Sequence, residues 1–228
     1  MKRGFTLLAL VTALLLSFAL YEALIAAPTE QTMGNVQRIF YYHVPSAWTA
    51  FVLFLINFVS SVVYLIRRNP KADLLALVSA EVGVVFCTVV IVTGPIWARP
   101  VWGIWWAPGD IRLTTTLVLW LIYISYLVLR RFSTSGRTPV VAAVVAIFGA
   151  LDVPLVYFSI WFFRTQHPSP VIGGGGSLDP RMAHVLLINW AAFMCLAWLF
   201  SWTRYELEVA KRQVEEAQAL ESLLEGSR

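Results

Sequence analysis

Charged side chains are scarce in this 228-residue chain: Asp, Glu, Lys and Arg make up 13%, against about a quarter in a soluble domain. Apolar residues make up 59%, and the mean hydropathy is +0.72. A soluble enzyme of this size would have too little polar surface, and a disordered chain is excluded by the same hydrophobicity. Cysteine is almost missing. Cys87 and Cys195 lie far apart inside apolar runs, so no C-x-x-C pair exists for zinc or dithiol chemistry. Both read as small buried hydrophobes. There is no C-x-x-C-H run either, which excludes covalent attachment of a c-type haem to this chain. No aromatic–basic pattern suited to RNA occurs, so the net charge of +4 is no sign of nucleic acid.

What remains is enough apolar sequence for six membrane spans at about 20 residues each. The runs cover residues 5–27, 44–66, 74–97, 113–129, 140–163 and 183–202. Their length and continuity demand helices, because an isolated strand cannot satisfy its backbone in lipid. The first run follows Lys2 and Arg3 as a signal peptide would. It is longer than a signal core of about 7–15 residues, and we read it as an uncleaved helix. The fold class is therefore an all-α bundle of six transmembrane helices, with residues 1–203 as the membrane domain. Residues 204–228 alternate charge with Leu207, Val209, Val214, Leu220, Leu223 and Leu224. They read as a cytoplasmic amphipathic C-terminal helix.

Basic residues give the orientation. With the N-terminus inside, 12 of the 17 Lys and Arg fall on inner segments. Arg38, Arg99, Arg112, Arg164 and Arg181 fall outside. Both termini are then expected to be cytoplasmic, in a multi-pass membrane protein. The inner connections are short turns, while the outer ones are longer and richer in chemistry. Glu22, Glu81 and Asp152 lie within apolar runs, with no Lys or Arg expected at their depth. A membrane carboxyl is either part of an ion path or a hydrogen-bonded structural group, and we read these as structural. Asp152, beside Pro154, is placed to bond backbone groups freed at a helix kink.

All three histidines, His43, His167 and His184, fall near the outer interface. So do Trp48, Trp97, Trp102, Trp105, Trp106 and Trp161, six of the ten tryptophans. An ordinary aromatic belt places one or two per helix end on both sides. This clustering instead reads as an external tryptophan-rich loop, at about residues 97–114, forming an apolar platform for a planar ligand. Two histidines flanking such a platform suit the axial positions of a haem iron. His43 is one candidate; the residues alone do not choose between His167 and His184 for the other. The outer arginines suit haem propionates, since guanidinium pairs bidentately with carboxylate, and spacing does not choose among them.

Specific motifs narrow the reading. Trp102-Gly103-Ile104-Trp105-Trp106 followed by Asp110-Ile111-Arg112-Leu113-Thr114 resembles the tryptophan-rich "WWD" signature of haem-handling membrane proteins. Three further segments resemble one branch, the CcmC family of haem exporter protein C. They are Tyr42-His43-Val44-Pro45-Ser46-Ala47-Trp48, Val92-Thr93-Gly94-Pro95-Ile96-Trp97, and Asp152-Val153-Pro154-Leu155-Val156-Tyr157-Phe158-Ser159 leading to His167. The resemblance covers residues 35–182. It implies six spans and an external site for non-covalent, transient haem b, with His43 and His167 as axial ligands. Trp48, Trp97, Trp102, Trp105, Trp106, Asp110, Arg112, Arg38, Arg99 and Arg164 would surround it. It also implies partners: a periplasmic haem chaperone of the CcmE type, ABC-transporter-type subunits, a small membrane subunit and the lipid bilayer. His184 lies beyond the matching segment.

The signature departs from the family in one place, where Ala107-Pro108-Gly109 replaces a residue and a third tryptophan before Asp110. A sharper turn is expected there, with Asp110 capping the next helix. The expected role is haem presentation and transfer during c-type cytochrome maturation, without catalysis. A cytochrome c haem lyase of the same superfamily would need a larger platform. A small-molecule transporter would show inverted repeats and broken midplane helices, and none is evident. The residues 173–176, four glycines, read as a hinge in the third outer loop. Cysteines introduced at Gly103 and Gly174 should react with an impermeant thiol reagent added outside cells, and one at Asn69 should not; the reverse pattern would invert the topology.

Overall fold

The computed structural model describes residues 2–163, 165–168 and 178–226. Arg164 and the four glycines at 173–176 lie outside the described residues. Six helices follow in order: α1 Lys2–Tyr21, α2 Phe40–Arg67, α3 Pro70–Trp102, α4 Ile111–Phe132, α5 Thr138–Phe162 and α6 Pro180–Gly226. Each carries a stretch long and apolar enough to cross a membrane, so the chain is an all-α, multi-pass membrane protein. A π-helical turn, Glu22–Ala26, ends α1, and a 3₁₀ turn, Asn35–Ile39, leads into α2.

Helix boundaries follow local chemistry. Asn69 caps α3 by accepting the Lys71 amide, and Pro70 stands at the first helical position, where its missing N–H costs nothing. α3 runs on past residue 97 to Trp102 and ends at Gly103, whose φ of 76° suits glycine. Trp97, Arg99 and Trp102 are therefore helical, and the segment between α3 and α4 is residues 103–110. The expected turn is present: the Asp110 amide donates to the Ala107 carbonyl at 2.9 Å. α6 continues without a break across residues 203 and 204.

The centre of the bundle is an aromatic stack. Phe54 of α2 lies on Tyr123 of α4, with centroids 3.7 Å apart and planes within 8°. Gly83 of α3 and Gly149 of α5 make room for it. A Cβ at Gly83 would lie 2.7 Å from the Phe54 ring, and one at Gly149 would lie 3.1 Å from Tyr123. Small residues let helix backbones approach in this way where lipid supplies no hydrophobic drive for association. Trp120 of α4 also donates its indole N–H to the Thr88 hydroxyl of α3 at 2.9 Å. α1 packs on α6, with Phe5 edge-on to Trp202.

The intramembrane carboxyls depart from expectation. Glu81 does have a basic partner: Arg204 grips both its oxygens at 2.8 Å. The reason is the unbroken α6, which carries Arg204 alongside α3 so that its long stem reaches inward. Asp73 is bound by Arg130 of α4 and by Arg212 of α6. Glu208 approaches both Arg204 and Arg212. One end of α3 is thus tied to α4 and α6 by charge. Asp152 does not make the expected bond through Oδ2, which is buried without a partner. α5 passes Pro154 as continuous helix.

Gly83→Ala should destabilise the protein by about 1–3 kcal/mol, because the stacked Phe54 ring cannot retreat. Thermal unfolding in detergent would measure it, and an unchanged midpoint would contradict the packing described.

Candidate functional site

At the bundle end holding the longer connections, residues of α2, α3, α4 and α5 line a cavity. It encloses about 1130 Å³ when the space at its mouth is counted. Its walls include His43, Trp48, Trp97, Trp102, Trp106, Arg112 and His167, joined by Met33, Tyr157 and many aliphatic groups. The wall is chiefly apolar with a few convergent polar groups, the usual make-up of a small-molecule site.

His43 lies one turn into α2 and is buried. Its Nδ1 sits 2.8 Å from the Thr93 hydroxyl oxygen. That hydroxyl donates its own proton to the Val89 carbonyl at 2.6 Å, so it can only accept from His43. Nδ1 therefore carries the proton, and Nε2 keeps a free lone pair. Trp97 meets the imidazole edge-on at 5.7 Å, and Gly94 leaves the ring room, a Cβ there lying 3.5 Å from Cε1. His167 follows α5 on an irregular segment. Its Nδ1 lies 3.1 Å from the Pro168 carbonyl, which can only accept, so its Nε2 is free as well. Burial, then the nearby Arg112 charge, push its pKa down to about 4, which keeps the ring neutral at pH 7. The two imidazole centroids are 6.4 Å apart, although 124 residues separate them in sequence.

Asp110 sits behind this wall. Oδ1 accepts the Arg112 and Leu113 amides at 3.0 and 3.2 Å, capping α4. Oδ2 accepts the Gln166 amide at 2.8 Å and the Thr165 hydroxyl. Thr165 Oγ1 in turn accepts the His167 amide at 3.0 Å. Burial works to raise the Asp110 pKa, but the Thr165, Leu113 and Gln166 donors outweigh it and hold the carboxyl below the usual range.

The candidate residues divide accordingly. His43, His167, Trp48, Trp97, Trp102, Trp106 and Arg112 share the cavity. Trp105 is 59% exposed and not on its wall. Arg38 spends its guanidinium on the Ala23 and Ala27 carbonyls, closing the end of the π-helical turn. Arg99 is exposed and bonds the Gly103 carbonyl, while Arg181 is engaged with its neighbour Asp179. His184 is exposed on α6, away from the cavity wall. Arg112 is the described arginine of the cavity, and its Nη1 is buried without a hydrogen-bond partner among the described residues. The same holds for the indole nitrogen of Trp97. The candidate set omitted Met33, Thr93, Tyr157 and Thr165, although Thr93 and Tyr157 stand within the motifs that carry the resemblance. Thr93 adjoins the Gly94-Pro95 pair in a helix, a local signal that something packs closely there; Thr165 carries no comparable signal.

These features define a polytopic membrane protein with a histidine- and tryptophan-lined cavity at one end of its bundle. The chain belongs to the heme exporter protein C family, whose model matches residues 1–220. It is similar to heme exporter protein C of Bradyrhizobium diazoefficiens, 33% identical over 218 residues, covering 94% of this chain and 82% of that one. A ccmC-like mitochondrial protein of Marchantia polymorpha, named for cytochrome c biosynthesis, is 32% identical over 82% of this chain and 79% of its own. Heme exporter protein C of Haemophilus influenzae is 29% identical over 92% and 86%.

Proposed function

We propose that this chain binds haem b non-covalently and transiently in the cavity and hands it on during c-type cytochrome maturation. The observation that carries this is the pair His43 and His167, from separate elements, with Nδ1 engaged and Nε2 free on both. Two imidazoles binding one metal from opposite sides, with bonds of about 2 Å, have centroids about 6 Å apart; here the separation is 6.4 Å. A bare metal ion would need further protein ligands. No group of three or more His, Cys, Asp or Glu that could hold one occurs among the described residues. A metal that brings its own macrocycle needs only the axial pair.

The other polar groups fit the same cargo. The unpartnered Arg112 guanidinium nitrogen suits a propionate, and such a contact would relieve a buried donor. Trp48, Trp97, Trp102 and Trp106 offer faces and edges to a porphyrin ring. The chain's own work is positioning: the imidazoles hold the iron, the tryptophans exclude water, and Arg112 fixes the rim. In this reading the chain acts as a carrier and not as an enzyme. The names of its relatives, which refer to heme export and cytochrome c biosynthesis, support the pathway. In this reading the protein lies in the inner membrane with both termini cytoplasmic and the cavity on the periplasmic face. The receiver is a periplasmic haem chaperone of the CcmE type, and ABC-transporter-type subunits with a small membrane subunit complete the complex.

The absorption spectrum of purified protein loaded with haem should be low-spin with bis-imidazole character. His43→Ala and His167→Ala should each lose or alter it, and His184→Ala should leave it intact; an unchanged spectrum in the first two variants would overturn the assignment. Thr93→Val removes the acceptor that orients His43 and should weaken haem binding about 10–100-fold by equilibrium titration. Equal affinity would show that the Thr93 hydrogen bond is dispensable.

A further inference from the structure

Asp110 stands within the tryptophan-rich signature, yet it is only 4% exposed and absent from the cavity wall. A haem-contact role does not account for it. Its hydrogen bonds do suggest another role. One oxygen belongs to the start of α4, where it holds the amide of Arg112 itself. The other belongs to the segment after α5, more than 50 residues further on. Among the described residues, the hydrogen bonds tying residues 165–168 to the bundle all end on this oxygen, directly from Thr165 and Gln166 and through Thr165 from His167. The remaining bond of that segment, from His167 to Pro168, is local.

We infer that Asp110 is a positioning residue: its carboxylate sets His167 in register with Arg112 and α4, and so holds the second imidazole opposite His43. This rests on the haem reading above for its purpose, but the tether itself is a property of the chain. Only a carboxylate serves. The two oxygens face two helix amides on one side and an amide plus a hydroxyl on the other, so every neighbour can donate. In asparagine one oxygen becomes an NH₂ group, which would meet the Gln166 N–H or the helix amides donor to donor. The cap or the tether would then fail.

The test uses the full-length protein with Asp110→Asn, and Thr165→Val as a milder variant that leaves the α4 cap intact. Hydrogen exchange on haem-free protein reads the tether directly. The Gln166 amide should exchange about tenfold faster in Asp110→Asn, which removes its acceptor, and the His167 amide in Thr165→Val, which removes its own, the factor implied by one lost hydrogen bond of ordinary strength, with the bundle core unchanged. In haem-loaded protein both variants should retain pigment but shift from low-spin towards high-spin. Added imidazole should restore the low-spin spectrum. Unchanged exchange at Gln166 and His167 in both variants would overturn the tether, whatever the pigment does. A low-spin spectrum retained by both variants despite faster exchange would overturn its role in placing His167. Loss of pigment that imidazole does not reverse would make Asp110 a haem contact instead. If wild-type protein shows no bis-imidazole spectrum, the haem reading fails, while the exchange result still decides the tether.

Discussion

Four of the six helices are brought together at the face of one aromatic ring stacked on another. Phe54 and Tyr123 could not lie flat together at 3.7 Å unless α3 and α5 presented glycines to their outer edges. α2, α3, α4 and α5 all meet at that stack, and the same four helices supply residues to the cavity wall. Together they furnish its wall: His43 and Trp48 from α2, Trp97 and Trp102 from α3, Arg112 from α4, and from α5 Tyr157 and the lead-in to His167. A hollow in a membrane bundle survives only if its walls are held apart by packing elsewhere.

The two histidines reach similar ring states by different means. His43 is rigid because it is helical, buried and bonded to a threonine that is itself bonded to the backbone. His167 sits on an irregular segment and borrows its place from α4 through Asp110 and Thr165. In both, Nδ1–H donates to a neighbouring oxygen and the other nitrogen keeps its lone pair, an outer arrangement that sets the tautomer before any ligand arrives.

Much of this was legible in the residues. Six apolar runs gave six helices because lipid leaves the backbone few alternatives. The motif around Tyr42 and His43 and the one leading to His167 pointed to the pair the fold brings together. What the sequence did not reveal has physical causes. Arg204 lies beyond the apparent end of the sixth run, and only an unbroken helix lets its side chain reach Glu81. The tryptophans at 97 and 102 looked like loop residues because Pro100 interrupts them, yet the helix carries on to Trp102. The five outer arginines were equivalent by spacing. They differ because Arg38 and Arg99 are consumed by backbone carbonyls and Arg181 by its neighbour, which depends on the turns around them.

Stiffness is unevenly distributed along the bundle. At the end away from the cavity, Asp73 and Glu81 bind α3 to α4 and α6 through three arginines. Towards the cavity, Pro45, Pro95, Pro100 and Pro154 each delete a rung from the hydrogen-bond ladder of α2, α3 or α5. The bundle is built like a clothes peg, clamped at one end and compliant at the jaws. Any opening of the cavity would therefore be expected at the proline end, with the clamped end and the aromatic stack as the fulcrum.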